Sequence, residues 1–191
     1  MVEPRAQIFL IGAPMLCCAP RNGQRLVLIA VTLVLGGCGG MPKNAEEFRQ
    51  FSVERARVVG WIPGLVPKET FEVERPFREV SSTLQKKANE CLKVAIQWAT
   101  NRGSGVNTYK PTFVAGPAKA ELHVQLRRSA VIEVGAPPDG AYRVVLDATP
   151  IAAKRTRIDL YTMSIDDNLL RRTLSGWARG DNLGCPDLTK G

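Results

Sequence analysis

The sequence predicts an α+β domain in which two helices pack on one face of an antiparallel sheet of about four strands. Three observations support this fold class. Four segments alternate apolar and polar residues, which is typical of strands with one buried and one solvent-exposed face. Two other segments carry apolar residues three and four positions apart, as helices with one buried face do. Of the 191 residues, 45% are hydrophobic and 23% are charged, so the chain can bury a core of ordinary size.

The first strand and the first helix of the predicted order β-α-β-β-β-α lie on either side of Pro76. Phe71 and Val73 alternate with charged residues in a short strand, and proline then suits the first turn of a helix. Apolar side chains share one helical face from Phe77 to Trp98, and two glycines end the pattern. The apolar positions of this predicted helix are Phe77, Val80, Leu84, Ala88, Cys91, Leu92, Ala95 and Trp98.

Three further strands are predicted after this helix. A Pro-Pro-Asp-Gly sequence at 137–140, which favours a turn, separates the first two of them. An additional edge strand over residues 108–114 stays open as an alternative, because Pro111 cannot donate a ladder hydrogen bond. The three strands cover residues 120–127, 142–148 and 156–162.

The second predicted helix lies near the carboxyl terminus. Ser164 and Asp167 have the spacing of a capping box, residues 169–177 carry an apolar stripe, and Gly180 ends the helix. Adjacent residues on a helix do not face each other, so Asp166 and Asp167 are interpreted as first-turn carboxylates rather than a catalytic pair.

The amino terminus carries an apolar segment at residues 26–35, preceded by Arg21 and Arg25. Ten helical residues span about 15 Å, roughly half the hydrocarbon core of a bilayer. A basic region followed by a short apolar run is the pattern of a secretory signal. A buried core helix and an uncleaved membrane anchor over residues 8–36 are the alternatives.

Residues 35–38, Leu-Gly-Gly-Cys, resemble the lipobox of bacterial lipoproteins. The resemblance implies that Cys38 receives a diacylglyceryl group through its thiol, that cleavage occurs just before it, and that this covalent lipid is the only cofactor. In lipoproteins of this kind, an aspartate directly after the lipidated cysteine retains the protein in the inner membrane. Because this position is Gly39, the resemblance implies that the protein is located at the periplasmic face of the outer membrane. A start at Met1 or at Met15 would give the same mature chain.

The predicted organisation has three parts: a signal peptide (1–37), a lipidated tether with an N-terminal segment that packs partly on the domain (38–68), and a periplasmic α+β domain (69–191). The formal charge of +8 falls to +6 when the signal peptide removes three arginines and one glutamate. Nucleic acid is not expected as a partner in that compartment. Phospholipid headgroups, lipopolysaccharide or an acidic envelope protein are the candidate partners.

Two cysteines, Cys91 and Cys185, remain in the mature domain besides the lipidated one. An even number of cysteines in an oxidising compartment predicts that they form a disulfide, and two buried free thiols are the alternative. The absence of a Cys-x-x-Cys sequence argues against a thiol oxidoreductase.

No catalytic residues, metal site or nucleotide-binding loop are predicted. His123 is the single histidine and lies among polar residues on the predicted solvent-exposed side of its strand, so we interpret it as a surface residue. Two basic clusters could bind an anion if the turn between the last two predicted strands and the last helix lie at the same end of the domain. The residues of this candidate anion-binding set are Lys154, Arg155, Arg157, Arg171 and Arg172.

The predicted element order resembles the helix-grip arrangement of small periplasmic lipoprotein domains such as those of BamC, in topology only. The leading hypothesis is a non-enzymatic, membrane-anchored lipoprotein with a structural or accessory role in the cell envelope. The alternative is a binding module for a lipid or other anionic ligand in a groove between the sheet and a helix. A hydrolase is the third hypothesis, and it would need carboxylates with perturbed pKa values in a cleft.

Overall fold

The structure, a computed structural model, describes residues 40–59, 62–101, 103–131, 133–181 and 184–190. The predicted signal peptide, the lipidation site Cys38 and both candidate start residues lie outside these ranges. The described helices are α1 (Ala45–Val59), α2 (Phe77–Cys91) and α3 (Asn168–Arg179). The described strands are β1 (Lys68–Val73), β2 (Val94–Thr100), β3 (Gly103–Ala115), β4 (Ala120–Arg128), β5 (Ala141–Ala152) and β6 (Arg155–Thr162).

In the described part of the chain, six strands form one antiparallel sheet in the order β1-β6-β5-β4-β3-β2. The α+β class and the antiparallel sheet are confirmed. The predicted numbers of about four strands and two helices are too low, because β2 and α1 were not expected as regular elements and β3 was only an alternative over residues 108–114.

The predicted helix ends at Cys91 rather than at Trp98, and the chain continues as β2. Val94, Ile96 and Trp98 are half-buried, whereas the residues between them are exposed. Leu92, Ala95 and Trp98 fit a helical face through their spacing of three, but Ala95 is exposed in the structure and Trp98 shares its strand face with Val94 and Ile96. The β-branched and aromatic side chains, placed next to a pairing strand, favour the strand.

The proline in β3 is tolerated because its nitrogen faces an open edge. β2 pairs only with residues 103–109 of β3, so no strand of the described chain pairs with the outer side of residues 110–115. The N–H groups of Val106 and Gly116 both point to the β4 side, where they donate to Ser129 Oγ and Lys119 O. Because backbone direction alternates along a strand, the nitrogen of Pro111 points away from β4.

The two predicted helices, α2 and α3, pack on one face of the sheet, but the prediction that the other face is in solvent is wrong because α1 covers it. On one face, α2 and α3 pack on the sheet around Trp177, which is completely buried. On the other face, α1 lies across β5 and β6 with Phe48 against Val145 and Tyr161. The polar residues of this second face contact α1. The alternation of polar and apolar residues along the strands therefore resembles that of a sheet with one solvent-exposed face.

The start of α3 confirms the predicted capping box. A short 3₁₀ turn over Ile165–Asp167 precedes the helix. Ser164 Oγ accepts from the Asp166 N–H at 3.3 Å, and the Asp167 carboxylate accepts from the Ser164 N–H at 3.1 Å. Gly180 ends the helix with a φ of 90°, as predicted. None of the described helices combines the length and hydropathy of a bilayer-spanning segment.

Candidate functional site

The structure does not bring the five predicted anion-binding residues together. Arg157 alternates with the buried Ile158 and therefore points to the α1 face of the sheet, whereas Arg171 belongs to α3 on the opposite face. Arg172 also lies on α3, and Lys154 lies in the turn between β5 and β6. Three of the five arginines and lysines form ion pairs with carboxylates: Arg155 with Glu72 (3.3 Å), Arg157 with Asp159 (3.0 Å) and Arg171 with Glu69 (2.5 Å).

A groove lies elsewhere between the sheet and α3. It has a volume of about 470 Å³ and is bounded by β2, β3 and β4, by the start of α3, and by residues 188 and 189 near the carboxyl terminus. We call it the end groove. Its apolar lining consists mainly of Ile96, Trp98, Leu126, Leu169, Leu170 and Leu188. Its polar lining includes Tyr109, Arg128, Arg143 and Asp167.

A β-bulge directs Arg143 into the end groove. Val124 pairs with Val144 but the next residue, Gln125, pairs with Tyr142, so Arg143 is the extra residue of β5. Gly140 precedes this bulge with a φ of 99°, and a Cβ there would lie 2.3 Å from the Leu126 carbonyl oxygen. Only glycine allows this close approach of the two strands.

Arg143 and Asp167 form a buried ion pair at the side of the end groove. Arg143 Nε lies 2.6 Å from Asp167 Oδ1, and the Asp167 side chain is 1% exposed. Burial raises the pKa of Asp167, while Arg143 and the backbone N–H groups of Met163 and Ser164 oppose that rise. Removing either partner would leave a charge with little access to water.

Tyr109 places a phenol in the same groove. Its pKa is raised, mainly by burial, and Asp167 adds to the increase while Arg143 and Arg128 oppose it. The hydroxyl therefore stays protonated at neutral pH and can donate or accept a hydrogen bond.

Arg128 is the more accessible of the two arginines in the end groove. Its side chain is 36% exposed, against 17% for Arg143. Its ion pair with Glu133 is long, at 3.9 Å, so the guanidinium can hydrogen-bond to another anion. The preceding Arg127 is exposed and, by strand alternation, points to the opposite face.

A second charged cluster fastens α1 to the sheet. Arg49 donates to both oxygens of Asp147, at 2.7 and 2.9 Å, and also to Glu121. Burial would raise the pKa of Glu121, but hydrogen bonds from Arg49, His123 and Lys119 outweigh it and lower the pKa to about 2. The arrangement is that of a docking contact between two elements.

His123 belongs to this docking contact and is not the solvated surface residue that the sequence predicts. Its side chain is 14% exposed, and its Nε2 atom lies 3.0 Å from Glu121 Oε2. The ring also makes an edge contact with Tyr142. α1 covers the face that strand alternation alone assigns to solvent.

Cys91 and Cys185 are brought together as a disulfide-capable pair. Their Cα atoms are 5.0 Å apart and the sulfur atoms are at bonding distance. Cys91 is buried at the end of α2, and Cys185 lies in the exposed segment after α3. Across the residues that the structure covers, no group of three or more His, Cys, Asp or Glu side chains could hold a metal ion.

Comparison with protein-family models and with curated proteins finds no match. Among solved structures, the hypothetical protein jhp0584 from Helicobacter pylori is similar at 12% identity with a TM-score of 0.33, covering 63% of this chain and 90% of its own. A conserved protein from Geobacillus kaustophilus is similar at 16% identity with a TM-score of 0.27, covering 59% and 84%. Similarities with TM-scores this low support no conclusion about this chain.

Sequence reasoning missed the residues of the end groove. Tyr109 and Arg128 lie in or beside segments that carry no recognisable motif, and Arg143 enters the groove only through the bulge. The signals in the sequence were Gly140 and the capping box at Ser164, which mark the two backbone segments that approach each other here.

Proposed function

We propose that this protein is a lipid-anchored, non-enzymatic protein of the cell envelope whose domain binds a small amphipathic anion in the end groove. The observation that carries the proposal is the combination of an apolar wall with Arg128 and Tyr109 at its polar side. Ligand sites are typically concave, mostly apolar and of 300–1,000 Å³, with a few polar groups that orient the ligand.

Within the end groove, which Asp166 also lines, Arg128 is the group that favours an anionic head group. Arg143 is already neutralised by Asp167, whereas among the described residues the ion pair of Arg128 is a long contact with Glu133. Ile96, Trp98 and neighbouring leucines offer apolar surface to the rest of such a ligand. A carboxylate or sulfonate on a short hydrocarbon chain has this chemistry.

We propose a non-enzymatic role because Asp167, the buried carboxylate of the end groove, already has hydrogen-bonding and ion-pair partners. Asp167 accepts from the Ser164 N–H at 3.1 Å and pairs with Arg143. These contacts are those of a helix-capping residue. A proton-transfer residue would need access to a substrate atom.

The binding part of the proposal is tested with octanoate and its uncharged analogue octanamide. We expect the full chain, in phosphatidylcholine nanodiscs with empty discs subtracted, to bind octanoate more tightly than octanamide in calorimetric titrations. Replacing Arg128 with glutamine should weaken octanoate binding about tenfold, the effect of losing one charge-assisted hydrogen bond. Octanamide binding should change little.

Arg127→Gln is the matched control, since it removes the same charge one residue away on the other face of the sheet. Equal losses in the two variants would indicate a non-specific charge effect and contradict the assignment to Arg128. If the unmodified chain does not bind octanoate, the groove proposal fails and a structural or accessory role without this ligand becomes the better explanation.

The anchoring part is tested by intact mass spectrometry of the membrane-extracted protein, with and without reductant. We expect the mass of residues 38–191 plus acyl chains, which places the lipid on Cys38. Reduction should add about two hydrogens if Cys91 and Cys185 form a disulfide. A mass equal to that of residues 1–191 without lipid would refute anchoring and the outer-membrane location. The titrations would then still test ligand binding in the end groove.

A further inference from the structure

The segment that follows α3 forms one wall of the end groove. Within residues 184–190, Leu188 is buried in the main core and, together with Thr189, lines the groove. The short 3₁₀ turn over Leu188–Lys190 contacts β2, the strand that lies at the edge of the sheet. The shape of the groove on this side therefore depends on where the segment lies.

Besides the chain itself, the disulfide is the covalent attachment of this segment to the rest of the described domain. Hydrogen bonds within the segment are local: Leu188 N–H to Pro186 O, and both Thr189 N–H and Oγ1–H to Asp187 Oδ1. Ordering seven residues costs backbone entropy that the burial of one leucine side chain does not offset. The link from Cys185 to Cys91 attaches the segment to the end of α2, three residues before Leu188 enters the groove.

We infer that residues 184–190 are a specificity-determining wall of the end groove, and that the Cys91–Cys185 disulfide is the positioning pair that holds this wall in place. The ligand part of this inference rests on the proposed function. Leu188 closes the apolar side of the groove and limits the length of the ligand's hydrocarbon chain. Without the disulfide, the wall moves away, Trp98 becomes accessible, and the ligand loses a contact surface.

The first experiment measures the wall without any ligand. In the full chain, Cys185→Ser should increase the quenching of tryptophan fluorescence by acrylamide, because Trp98 lines the groove and Trp177 is completely buried. The increase should be absent when Trp98→Phe is added. Far-UV circular dichroism should be unchanged, since the segment contributes little regular structure. Unchanged quenching would overturn the inference, whether or not octanoate binds.

The second experiment measures octanoate affinity. Cys185→Ser should weaken octanoate binding about fivefold through loss of a preformed wall. Leu188→Ala, which keeps the disulfide, should instead shift the preference toward longer fatty acids such as decanoate. If Cys185→Ser fails to fold, this leucine variant tests the wall alone, and an unchanged chain-length preference would refute it.

The two proposals can fail separately. Increased quenching with unchanged octanoate affinity in Cys185→Ser would show that the wall moves without shaping the site, which overturns its role in specificity. An unmodified chain that does not bind octanoate would refute the proposed function, and the quenching comparison would then decide alone whether the disulfide positions the wall.

Discussion

Replacing Arg49 with alanine is expected to detach α1 from the sheet and to lower the free energy of unfolding by about 3 kcal/mol, the usual cost of breaking a largely buried charge pair. Arg49 is 12% exposed and contacts Asp147, which is 7% exposed, through two hydrogen bonds. Its removal leaves Asp147 and Glu121 side by side with Lys119 as their remaining cation. Urea unfolding of the full chain measures the loss, and hydrogen exchange of residues 45–59 locates it.

Arg57→Ala is the control on the same helix. Arg57 and its partner Glu54 are both more than 70% exposed, and their atoms lie 3.6 Å apart. Exposed pairs of this kind contribute less than about 1 kcal/mol, so the change should be small. Similar effects of the two substitutions would show that Arg49 does not anchor α1.

The Arg49 contact also predicts how α1 responds to acid. Glu121 has a pKa of about 2 in the folded chain, below its ordinary 4.5, so its ionised form favours folding. This contribution is complete above pH 4.5 and is lost as the pH falls toward 2. Exchange protection of α1 should therefore decrease over this interval, and the decrease should be smaller in Glu121→Gln.

Asp167→Ala is expected to destabilise the domain by about 2–3 kcal/mol, because it leaves Arg143 without its partner and removes a capping contact. The estimate is reduced from the full cost of a broken buried pair because burial already disfavours the Asp167 carboxylate, as its raised pKa indicates. Asp167→Asn should have an intermediate effect, since an amide oxygen can still accept from the Ser164 N–H. Urea unfolding followed by circular dichroism is the measurement.

The adjacent Asp166 provides the comparison. It is exposed and also lies at the start of α3, so Asp166→Ala should change stability by less than about 0.5 kcal/mol. Equal effects at both positions would indicate that helix-terminal charge, rather than the contact with Arg143, accounts for the loss.

Local signals account for what could be predicted from the sequence. The capping box at Ser164, the helix end at Gly180 and the apolar face of α2 each depend on residues a few positions apart, so their spacing was sufficient. The approach of Cys91 to Cys185, 94 residues apart, is not a local signal and was predicted from the number of cysteines in the predicted domain.

Long-range contacts account for what could not be predicted. The sequence predicts a helix over β2 because Ala95 and Trp98 continue the helical spacing of α2, whereas pairing with β3 selects the strand. The attachment of α1 depends on Arg49 meeting carboxylates that lie 72 and 98 residues away in the sequence, which no local pattern indicates. The end groove depends on a bulge in β5, which has no sequence signature of its own.

The proline in β3 has a consequence for the behaviour of this protein among other chains. Beyond residue 109, no described strand pairs with the outer side of β3, which is an edge that an extended segment of a second molecule could join. Pro111 presents no N–H on that side, so an incoming strand would find a missing donor near the start of the open stretch. The residue that made this segment a doubtful strand in the sequence therefore disfavours edge-to-edge pairing between copies of this chain.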